Sequence, residues 1–353
     1  MPFFIAIALG LVLTWVARRL GLATGLVDRP AAADSGPAAE DRLKIHAVPI
    51  PVLGGLGVMA ATLVTLLAIG HELPALVVAG VVVATGIGLV DDARPLPASV
   101  RILALAAAGM LLAAGLPLDP VGSLSHAGVL LLLARAGVVV LLLLLANAVN
   151  LIDGQDGLAG GLGAIASAGL AAVIAANGHS DAPVLAVVLA GALVGFLAWN
   201  LPPARVFLGN GGAYGLGSLL TVLAAQATVL HGYHGLLAAG LCLGVFAFEL
   251  SFTVVRRLVS SQRLATGDRR HSYDLLGRSR GNRDRSTLAL WTLGAVSAGA
   301  GYAADQVSLA AAGTTIAVAF VMGTAAGGRL WRQATSGQEE QAVQTAPRPR
   351  ERG

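Results

Sequence analysis

Four polar residues recur at every third position in the stretch NAVNLIDGQDGLAGG, which follows a long apolar run: Asn147, Asn150, Asp153 and Asp156. This spacing drifts slowly around one side of an α-helix, and it would eclipse the four side chains in a 3₁₀ turn. Gly154 breaks the run and lets the backbone approach a ligand. Amide and carboxylate oxygens suit a hard cation such as Mg²⁺, which also contacts substrate phosphates. The stretch therefore predicts a magnesium and phosphate site, and an Asx-rich turn without a ligand is the alternative.

Two adjacent carboxylates, Asp91 and Asp92, end another apolar run in the stretch GLVDDARPLP. The C-terminal end of a helix carries partial negative charge, so two carboxylates there are costly unless a cation or donors offset them. Neighbours on a helix point about 100° apart, so we expect the two side chains to have different partners. The alternative is a solvated pair that simply ends the helix.

A glycine-rich segment, RVFLGNGGAYGLG at 205–217, precedes a further apolar run. Glycines before a helix N-terminus favour anion binding. Close packing between helices is the alternative explanation.

The longest hydrophilic segment, 256–285, holds nine arginines, among them Arg269 and Arg270, and it also contains His271. Guanidinium groups match phosphate oxygens in pairs. Retention of the loop on one side of a membrane, with contact to anionic lipids, is the alternative for the arginines, but it explains His271 less well. Lys44, the single lysine, lies in the first hydrophilic segment and is a further candidate phosphate ligand.

The composition shows which elements must position these residues. Of the 353 residues, 56% are hydrophobic and 12% are charged, whereas soluble domains carry about 25% charged residues. The mean hydropathy is +0.78. We therefore expect an all-α polytopic membrane protein. Eleven apolar segments are long enough to span a membrane, with starts near residues 2, 52, 74, 99, 129, 157, 183, 213, 235, 286 and 308.

Charge sets the orientation of these segments. Twenty-two of the 23 Lys and Arg residues fall on one side of the alternating topology, and Arg135 sits within an apolar segment. The positive-inside rule makes that side cytoplasmic and puts the N-terminus outside. The net charge of +4 thus reflects topology, and no nucleic-acid partner is expected. All the motifs above lie on the cytoplasmic side. Residues 1–328 are predicted to form one transmembrane domain, and residues 329–353 a disordered cytoplasmic tail.

The motifs and their order resemble the polyprenyl-phosphate N-acetylhexosamine-1-phosphate transferase superfamily, from about residue 26 to 328. The resemblance implies a cell-membrane enzyme with a cytoplasmic active site that requires Mg²⁺. It would transfer a sugar-1-phosphate, with N-acetylglucosamine-1-phosphate the first choice, from a UDP-N-acetylhexosamine to polyprenyl phosphate and release UMP. Such reactions start the lipid-linked assembly of cell-envelope glycans. Among protein partners, only a homodimer is left open.

The resemblance also assigns residues. Asp91 and Asp92 match the pair linked to the lipid phosphate and its activation. Asp153 and Asp156 match a second acidic motif, and His271 matches a histidine that contacts the nucleotide-sugar phosphates. Asn150 and Asn210 match metal positions. The candidate substrate-binding residues are Lys44, Asn147, Gly154, Arg269 and Arg270.

Two positions depart from the pattern of this superfamily. Asn210 stands in the stretch FLGN where similar proteins usually have an aspartate on the metal, so one negative charge is lost. His271-Ser272-Tyr273 stands where a His-x-His pair is frequent, so one histidine is replaced by a tyrosine that carries no positive charge at neutral pH.

Three other functions compete with this interpretation. The peptidoglycan enzyme that uses UDP-MurNAc-pentapeptide would carry consecutive histidines in the last loop, which this chain lacks. A catalytically impaired homologue is suggested by Asn210. A transporter would place ionisable groups near the middle of the membrane, whereas the four aspartates cluster at one interface. Glu249 is the exception, and we expect it to be a packing or orienting residue with a buried partner.

Overall fold

The computed structural model describes residues 1–30, 48–118, 127–176, 183–261, 270–280 and 283–306. These residues are almost entirely helical, with one short two-stranded sheet. The elements in chain order are α1 (Pro2–Thr24), β1 (Val27–Asp28), β2 (Ile50–Pro51), α2 (Gly54–Ala68), α3 (Ala75–Ala93), α4 (Ala98–Gly115), α5 (Ala127–Ile152), α6 (Leu158–Ala175), α7 (Val184–Asn200), α8 (Gly209–Cys242), α9 (Gly244–Val259), α10 (Ser272–Arg280) and α11 (Arg283–Asp305).

Most helices begin where the apolar runs predict. Nine of the eleven predicted starts lie within four residues of the first residue of a helix. Prolines set several of these starts: Pro74, Pro97 and Pro183 stand directly before α3, α4 and α7. Proline has no N–H group, so it fits the start of a helix, where that group would be unpaired, better than its interior. The predicted segment near residue 308 and the tail 329–353 lie outside the described residues.

The chain is a helical membrane protein with several spans. Within the described ranges, six helices are long and apolar enough to cross a membrane: α1, α3, α4, α5, α6 and α8. Helices α2 and α7 are apolar but shorter. The predicted total of eleven spans therefore stays a prediction.

The predicted connection at 231–234 coincides with a break in helical geometry. The sequence predicted separate spans starting near 213 and 235, and α8, Gly209–Cys242, consists of two helices that meet at Gly232. The helix is kinked at Gly232, whose φ of 59° and ψ of −134° are open to glycine because it lacks a Cβ. The chain next leaves helical geometry at Leu243, and α9 follows.

A short sheet is the exception to the all-α prediction. Strands β1 and β2 pair antiparallel, with Val27 opposite Pro51 and Asp28 opposite Ile50. The carbonyl of Pro51 also accepts the N–H of Phe207 at 2.8 Å. The base of the first hydrophilic loop is thereby fixed against the segment that precedes α8.

Helix α8 lies at the centre of the fold. In α6 and α8, 72% and 78% of the apolar stretch is buried, against 22% in α1 and α5. Helix α8 packs against α2, α3, α5, α6 and α11. Helices α3 and α8 come very close at Gly88, where an added Cβ would lie 2.3 Å from the carbonyl oxygen of Asn210. This approach brings the C-terminal end of α3 to the first turn of α8.

Candidate active site

The carboxylate of Asp91, near the end of α3, is held by four donors. Its Oδ1 accepts the N–H of Leu96 at 2.7 Å. Its Oδ2 accepts from Arg101 Nη1 at 3.3 Å, from Asn210 Nδ2 at 3.1 Å and from the Tyr214 hydroxyl at 3.3 Å. Asp91 is 5% exposed, so these donors replace water and Arg101 offsets its charge.

Asp92 has a different environment. Its Oδ1 accepts the main-chain N–H of Asn210 at 2.9 Å, and its Oδ2 accepts that of Gly211 at 3.0 Å. These N–H groups belong to the first turn of α8, which carries partial positive charge. The predicted difference between the partners of Asp91 and Asp92 is confirmed, and the alternative of a solvated pair is wrong.

The turn after α5 meets the same helix end. We call residues 153–156 the acidic turn. Asp153 Oδ2 accepts the N–H of Gly209 at 3.1 Å, and Asp156 Oδ2 accepts the N–H of Ala204 at 2.9 Å. Gly209 has a φ of +75°, a value that favours glycine. The two acidic motifs, more than 60 residues apart in the chain, therefore converge on the start of α8.

The two asparagines that the resemblance assigns to the metal contact each other. Asn150 Nδ2 donates to Asn210 Oδ1, and Asn210 Nδ2 donates to Asp91. Asn147 does not join this network by a hydrogen bond. It is exposed, and its amide donates to the carbonyl of Leu143 in its own helix at 2.7 Å.

The glycine-rich segment binds carboxylates of the protein itself. The sequence predicted an anion site at the start of α8, but the N–H groups of Gly209, Asn210 and Gly211 donate to Asp153 and Asp92. The physical principle, an anion at a helix N-terminus, applies. The anions are the two acidic side chains rather than a substrate phosphate.

The carboxyl group of Asp153 is buried beside two other carboxylates. Burial raises the pKa of the Asp153 carboxyl well above its usual range, and the charges of Asp92 and Asp156 add to the rise. The hydrogen bond from the Gly209 N–H lowers it. A cation near Asp153 would stabilise the ionised carboxylate.

The donor chemistry fits a hard divalent cation. Within the described ranges, no three His, Cys, Asp or Glu side chains form a group that could hold a metal ion. Amide oxygens would have to complete the donor set, and Asn150 lies one helical turn before Asp153. Carboxylate and amide oxygens are the ligands that Mg²⁺ takes, together with water and phosphate.

The last hydrophilic segment reaches the acidic turn through Tyr273. The hydroxyl of Tyr273 donates to the carbonyl of Leu151 at 3.0 Å. His271 is 6% exposed, and its ring stacks on that of Tyr273 with centroids 5.2 Å apart. The structure therefore places His271 one aromatic ring away from the acidic turn.

The position of Tyr273 explains why residue 154 is a glycine. The sequence predicted that this glycine lets the backbone approach a ligand. In the structure a Cβ at Gly154 would lie 2.1 Å from the Tyr273 hydroxyl. The close neighbour is thus a side chain of the protein, which stands where the superfamily often has its second histidine.

Of the three basic residues predicted to bind substrate, the structure describes one. Arg270 is partly buried next to His271, whereas Lys44 and Arg269 lie outside the described residues. Arg256 and Arg257 lie in the last turn of α9 and are 2% and 7% exposed. These two arginines face protein, so contact with lipid headgroups does not account for them.

Several residues that organise the site were not predicted from the sequence. Arg101 and Tyr214 bind Asp91, and buried Asn200 accepts the N–H of Gly157 at 3.0 Å while donating to Val206 at 2.9 Å. The position of Arg101, at the start of the apolar run after the aspartate pair, was a usable signal. Nothing in the sequence pairs Tyr214 or Asn200 with a carboxylate or a turn, because those contacts join distant segments.

Known proteins resemble this chain over the segment that contains the candidate site. Residues 74–228, which include both acidic motifs and the start of α8, match the family model "Glycosyl transferase family 4". A "Probable undecaprenyl-phosphate N-acetylglucosaminyl 1-phosphate transferase" of Bacillus subtilis is 28% identical over 304 residues, covering 83% of this chain and 81% of that protein.

Two further relatives match shorter parts of the chain. A "Decaprenyl-phosphate N-acetylglucosaminephosphotransferase" of Mycobacterium leprae is 33% identical over 236 residues, 58% of each protein. A "Phospho-N-acetylmuramoyl-pentapeptide-transferase" of Shouchella clausii is 35% identical over 166 residues, 45% of this chain and 47% of the relative. The chain thus aligns with about half the length of these two relatives.

Proposed function

We propose that this chain, whose residues 74–228 match the model of glycosyl transferase family 4, is a membrane phosphotransferase that acts on polyprenyl phosphate and a UDP-N-acetylhexosamine. The sugar that we propose first is N-acetylglucosamine. An oxygen of polyprenyl phosphate attacks the β-phosphorus of the UDP-sugar. A new P–O–P linkage forms, the linkage to UMP breaks, and UMP leaves. The names of the relatives from Bacillus subtilis and Mycobacterium leprae support this substrate pair.

One observation carries the proposal. The carboxylates of Asp92 and Asp153 both accept main-chain N–H groups from the first turn of α8, so the two acidic motifs form a single site. Reactions between two phosphate groups require neutralisation of charge and in-line positioning more than covalent help from the protein. A rigid site rich in oxygen ligands supplies both once a cation is bound.

Each residue has a proposed task. We propose that Asp91 and Asp92 contact the lipid phosphate and take part in its activation. Hydrogen-bond donors of α8 hold both carboxylates in place. The guanidinium of Arg101 is fixed by Asp91, and its side chain is 30% exposed, so it can also donate to a phosphate. The remaining substrate contacts that we propose are His271, Lys44, Asn147, Gly154, Arg269 and Arg270.

Mg²⁺ is the proposed cofactor. Asp153, Asp156 and Asn150, with Asn210, would hold it, and it would neutralise the charge that two substrate phosphates bring together. Asn210 gives the site one negative charge fewer than an aspartate would. The site should therefore bind Mg²⁺ more weakly than it would with an aspartate at position 210.

The proposed location is the cytoplasmic face of the cell membrane, with eleven spans, the N-terminus outside and the C-terminus inside. Residues 1–328 would form the transferase domain and 329–353 a cytoplasmic tail. This topology rests on the distribution of Lys and Arg. A homodimer remains a prediction.

The decisive experiment incubates the purified protein with radiolabelled UDP-N-acetylglucosamine, polyprenyl phosphate and Mg²⁺. We expect labelled lipid and an equal amount of UMP, and none from the Asp92→Asn variant. UDP-MurNAc-pentapeptide and other UDP-sugars run in parallel, because the relative from Shouchella clausii is named for the pentapeptide substrate. If no UDP-sugar in the panel leads to release of UMP, the enzyme proposal is rejected, and an inactive homologue or a transporter is the remaining interpretation.

A further inference from the structure

Glu249 lies inside α9 and is 1% exposed. Its Oε1 lies 2.9 Å from His271 Nδ1 and accepts the Thr253 hydroxyl at 3.2 Å. Each carboxylate oxygen is 3.3 Å from the N–H of Ser272, and the Ser272 hydroxyl donates to Oε2. The buried partner that the sequence analysis expected for Glu249 is therefore found, and it is the histidine of the last hydrophilic segment.

We propose that Glu249 is a positioning residue that fixes His271 with its hydrogen on Nδ1 and leaves Nε2 to meet the substrate phosphates. An ionised carboxylate can only accept hydrogen bonds, so Nδ1 must be the donor in this pair. The role of one ring nitrogen is set by the bond that the other makes. Within the described ranges, Nε2 of His271 has no hydrogen-bond partner.

The same carboxylate sets the position of the backbone around the histidine. Ser272 is the first residue of α10, and its N–H is one of those that a helix leaves unpaired at its N-terminus. Glu249 accepts that N–H and places negative charge at the positive end of α10. One residue on α9 thus fixes the ring of His271 and the start of the helix that carries Tyr273.

This arrangement leads directly to the acidic turn. His271 stacks on Tyr273 with ring planes 5° apart, and Tyr273 donates to the carbonyl of Leu151. An imidazole held by this stack and by Glu249 has little freedom to rotate. Its position relative to Asp153 is therefore decided by Glu249, although the hydrogen bonds of Glu249 within the described ranges go to Thr253, His271 and Ser272 and not to the acidic turn.

The consequence for chemistry rests on the proposed function. An imidazolium with Nδ1–H bound to Glu249 can donate from Nε2 to a phosphate oxygen, and such charge-assisted bonds are short and strong. The carboxylate supplies the counter-charge that a buried imidazolium needs. Because the bond would strengthen as charge moves between phosphates, loss of Glu249 should lower kcat more than it raises KM.

The first test is a double-mutant cycle on the full-length protein. We expect Glu249→Leu to lower kcat about 10- to 100-fold, the range for residues that orient a functional histidine. Glu249→Gln, which keeps one acceptor oxygen, should recover part of that loss. Since Glu249 acts through His271, the double variant Glu249→Leu/His271→Ala should be no slower than His271→Ala alone. Losses that multiply would overturn the proposal.

A matched control removes another buried pair of the same kind. His231 Nδ1 lies 3.4 Å from Asp305 Oδ1, with side chains 4% and 0% exposed, at the other end of α11. Asp305→Asn should leave kcat unchanged. If Asp305→Asn lowers kcat as much as Glu249→Leu does, the loss reflects disruption of a buried histidine–carboxylate pair in general. That result would overturn a specific role of Glu249.

The second test does not depend on activity. The chain has seven histidines, so ¹⁵N-histidine NMR can assign His271 by the signal that His271→Ala removes. We expect hydrogen on Nδ1 in the wild type and a shift toward hydrogen on Nε2 alone in Glu249→Leu. Hydrogen on Nε2 alone in the wild type would refute the proposal. The expected tautomer in a protein that releases no UMP would instead refute the proposed function and retain the positioning.

Discussion

The side-chain amide of Asn210 donates to Asp91 Oδ2 over 3.1 Å, while the main-chain N–H of the same residue donates to Asp92 Oδ1 over 2.9 Å. One residue thus joins the two aspartates of α3 to the start of α8. An amide can do this because it carries hydrogens, whereas an ionised carboxylate at this position would have none to donate.

Asn210→Asp should therefore lower the stability of the metal-free protein and raise its affinity for Mg²⁺. Replacing a donor to Asp91 by a like charge should cost about 1–3 kcal/mol without metal, and Mg²⁺ should recover it. Thermal unfolding at increasing Mg²⁺ concentration measures both effects. Gln306→Glu adds the same charge at an exposed position beyond the C-terminal end of α11, so its melting temperature should show the wild-type dependence on Mg²⁺. An identical response in Asn210→Asp would remove this residue from the metal site.

Asp92→Asn should abolish transfer with moderate loss of stability. Both oxygens of Asp92 accept main-chain N–H groups, so the NH₂ group of an asparagine would face a donor at Asn210 or Gly211. The mismatch should cost about 1–3 kcal/mol. Thermal unfolding and UMP release measured on one preparation separate the two effects. A folded variant that still releases UMP would exclude Asp92 from the mechanism.

Arg101→Ala should affect substrate binding more than folding. The ion pair with Asp91 is 3.3 Å long, and the arginine side chain is 30% exposed whereas that of Asp91 is 4% exposed. Because Asp91 keeps three other donors, loss of the guanidinium should cost about 1–3 kcal/mol of stability. Arg101→Lys keeps the charge but loses the planar fork that matches phosphate, so it should recover only part of the affinity. The KM values for both substrates, with melting temperatures, test this. Unchanged KM values in Arg101→Ala would limit Arg101 to holding Asp91.

Gly154→Ala should be rescued by a second substitution. The added methyl group would lie 2.1 Å from the Tyr273 hydroxyl but 3.1 Å from the next ring atom. Overpacking of this kind costs about 1–3 kcal/mol, and Tyr273→Phe should relieve most of it. The free energies of unfolding of the two single variants and the double variant give the coupling. Additive losses would show that Tyr273 does not pack on the acidic turn as described.

Cysteine labelling tests the orientation in the membrane. The single natural cysteine, Cys242, is 4% exposed, so background labelling should be low. A membrane-impermeant maleimide should label Glu72→Cys in intact cells and Arg94→Cys only after permeabilisation. Both positions are exposed, and they lie at opposite ends of α3. Labelling of Arg94→Cys in intact cells would invert the topology and place the acidic motifs outside.

Most helices and the residues that could do chemistry were predictable from local sequence patterns. Apolar runs and the prolines before α3, α4 and α7 act over a few residues, so nine predicted starts agree with the structure. The motif around Asp153 and the pair at Asp91 were also visible, because oxygen ligands beside apolar runs have few structural explanations. The apolar runs predicted to start near 213 and 235 meet at the break at Gly232.

The donors that bind each carboxylate depend on the packing of the helices and were not predictable from local patterns. Asp153 accepts from Gly209, Asp91 from Tyr214 and Glu249 from His271, and each pair joins segments that are distant in the chain. Hydropathy and local spacing carry no information about such pairs, because the free energy of a buried polar group depends on partners that helix packing supplies. The close approach of α3 and α8 at Gly88 is therefore needed to bring Asp91 and Asp92 to their donors in the first turn of α8.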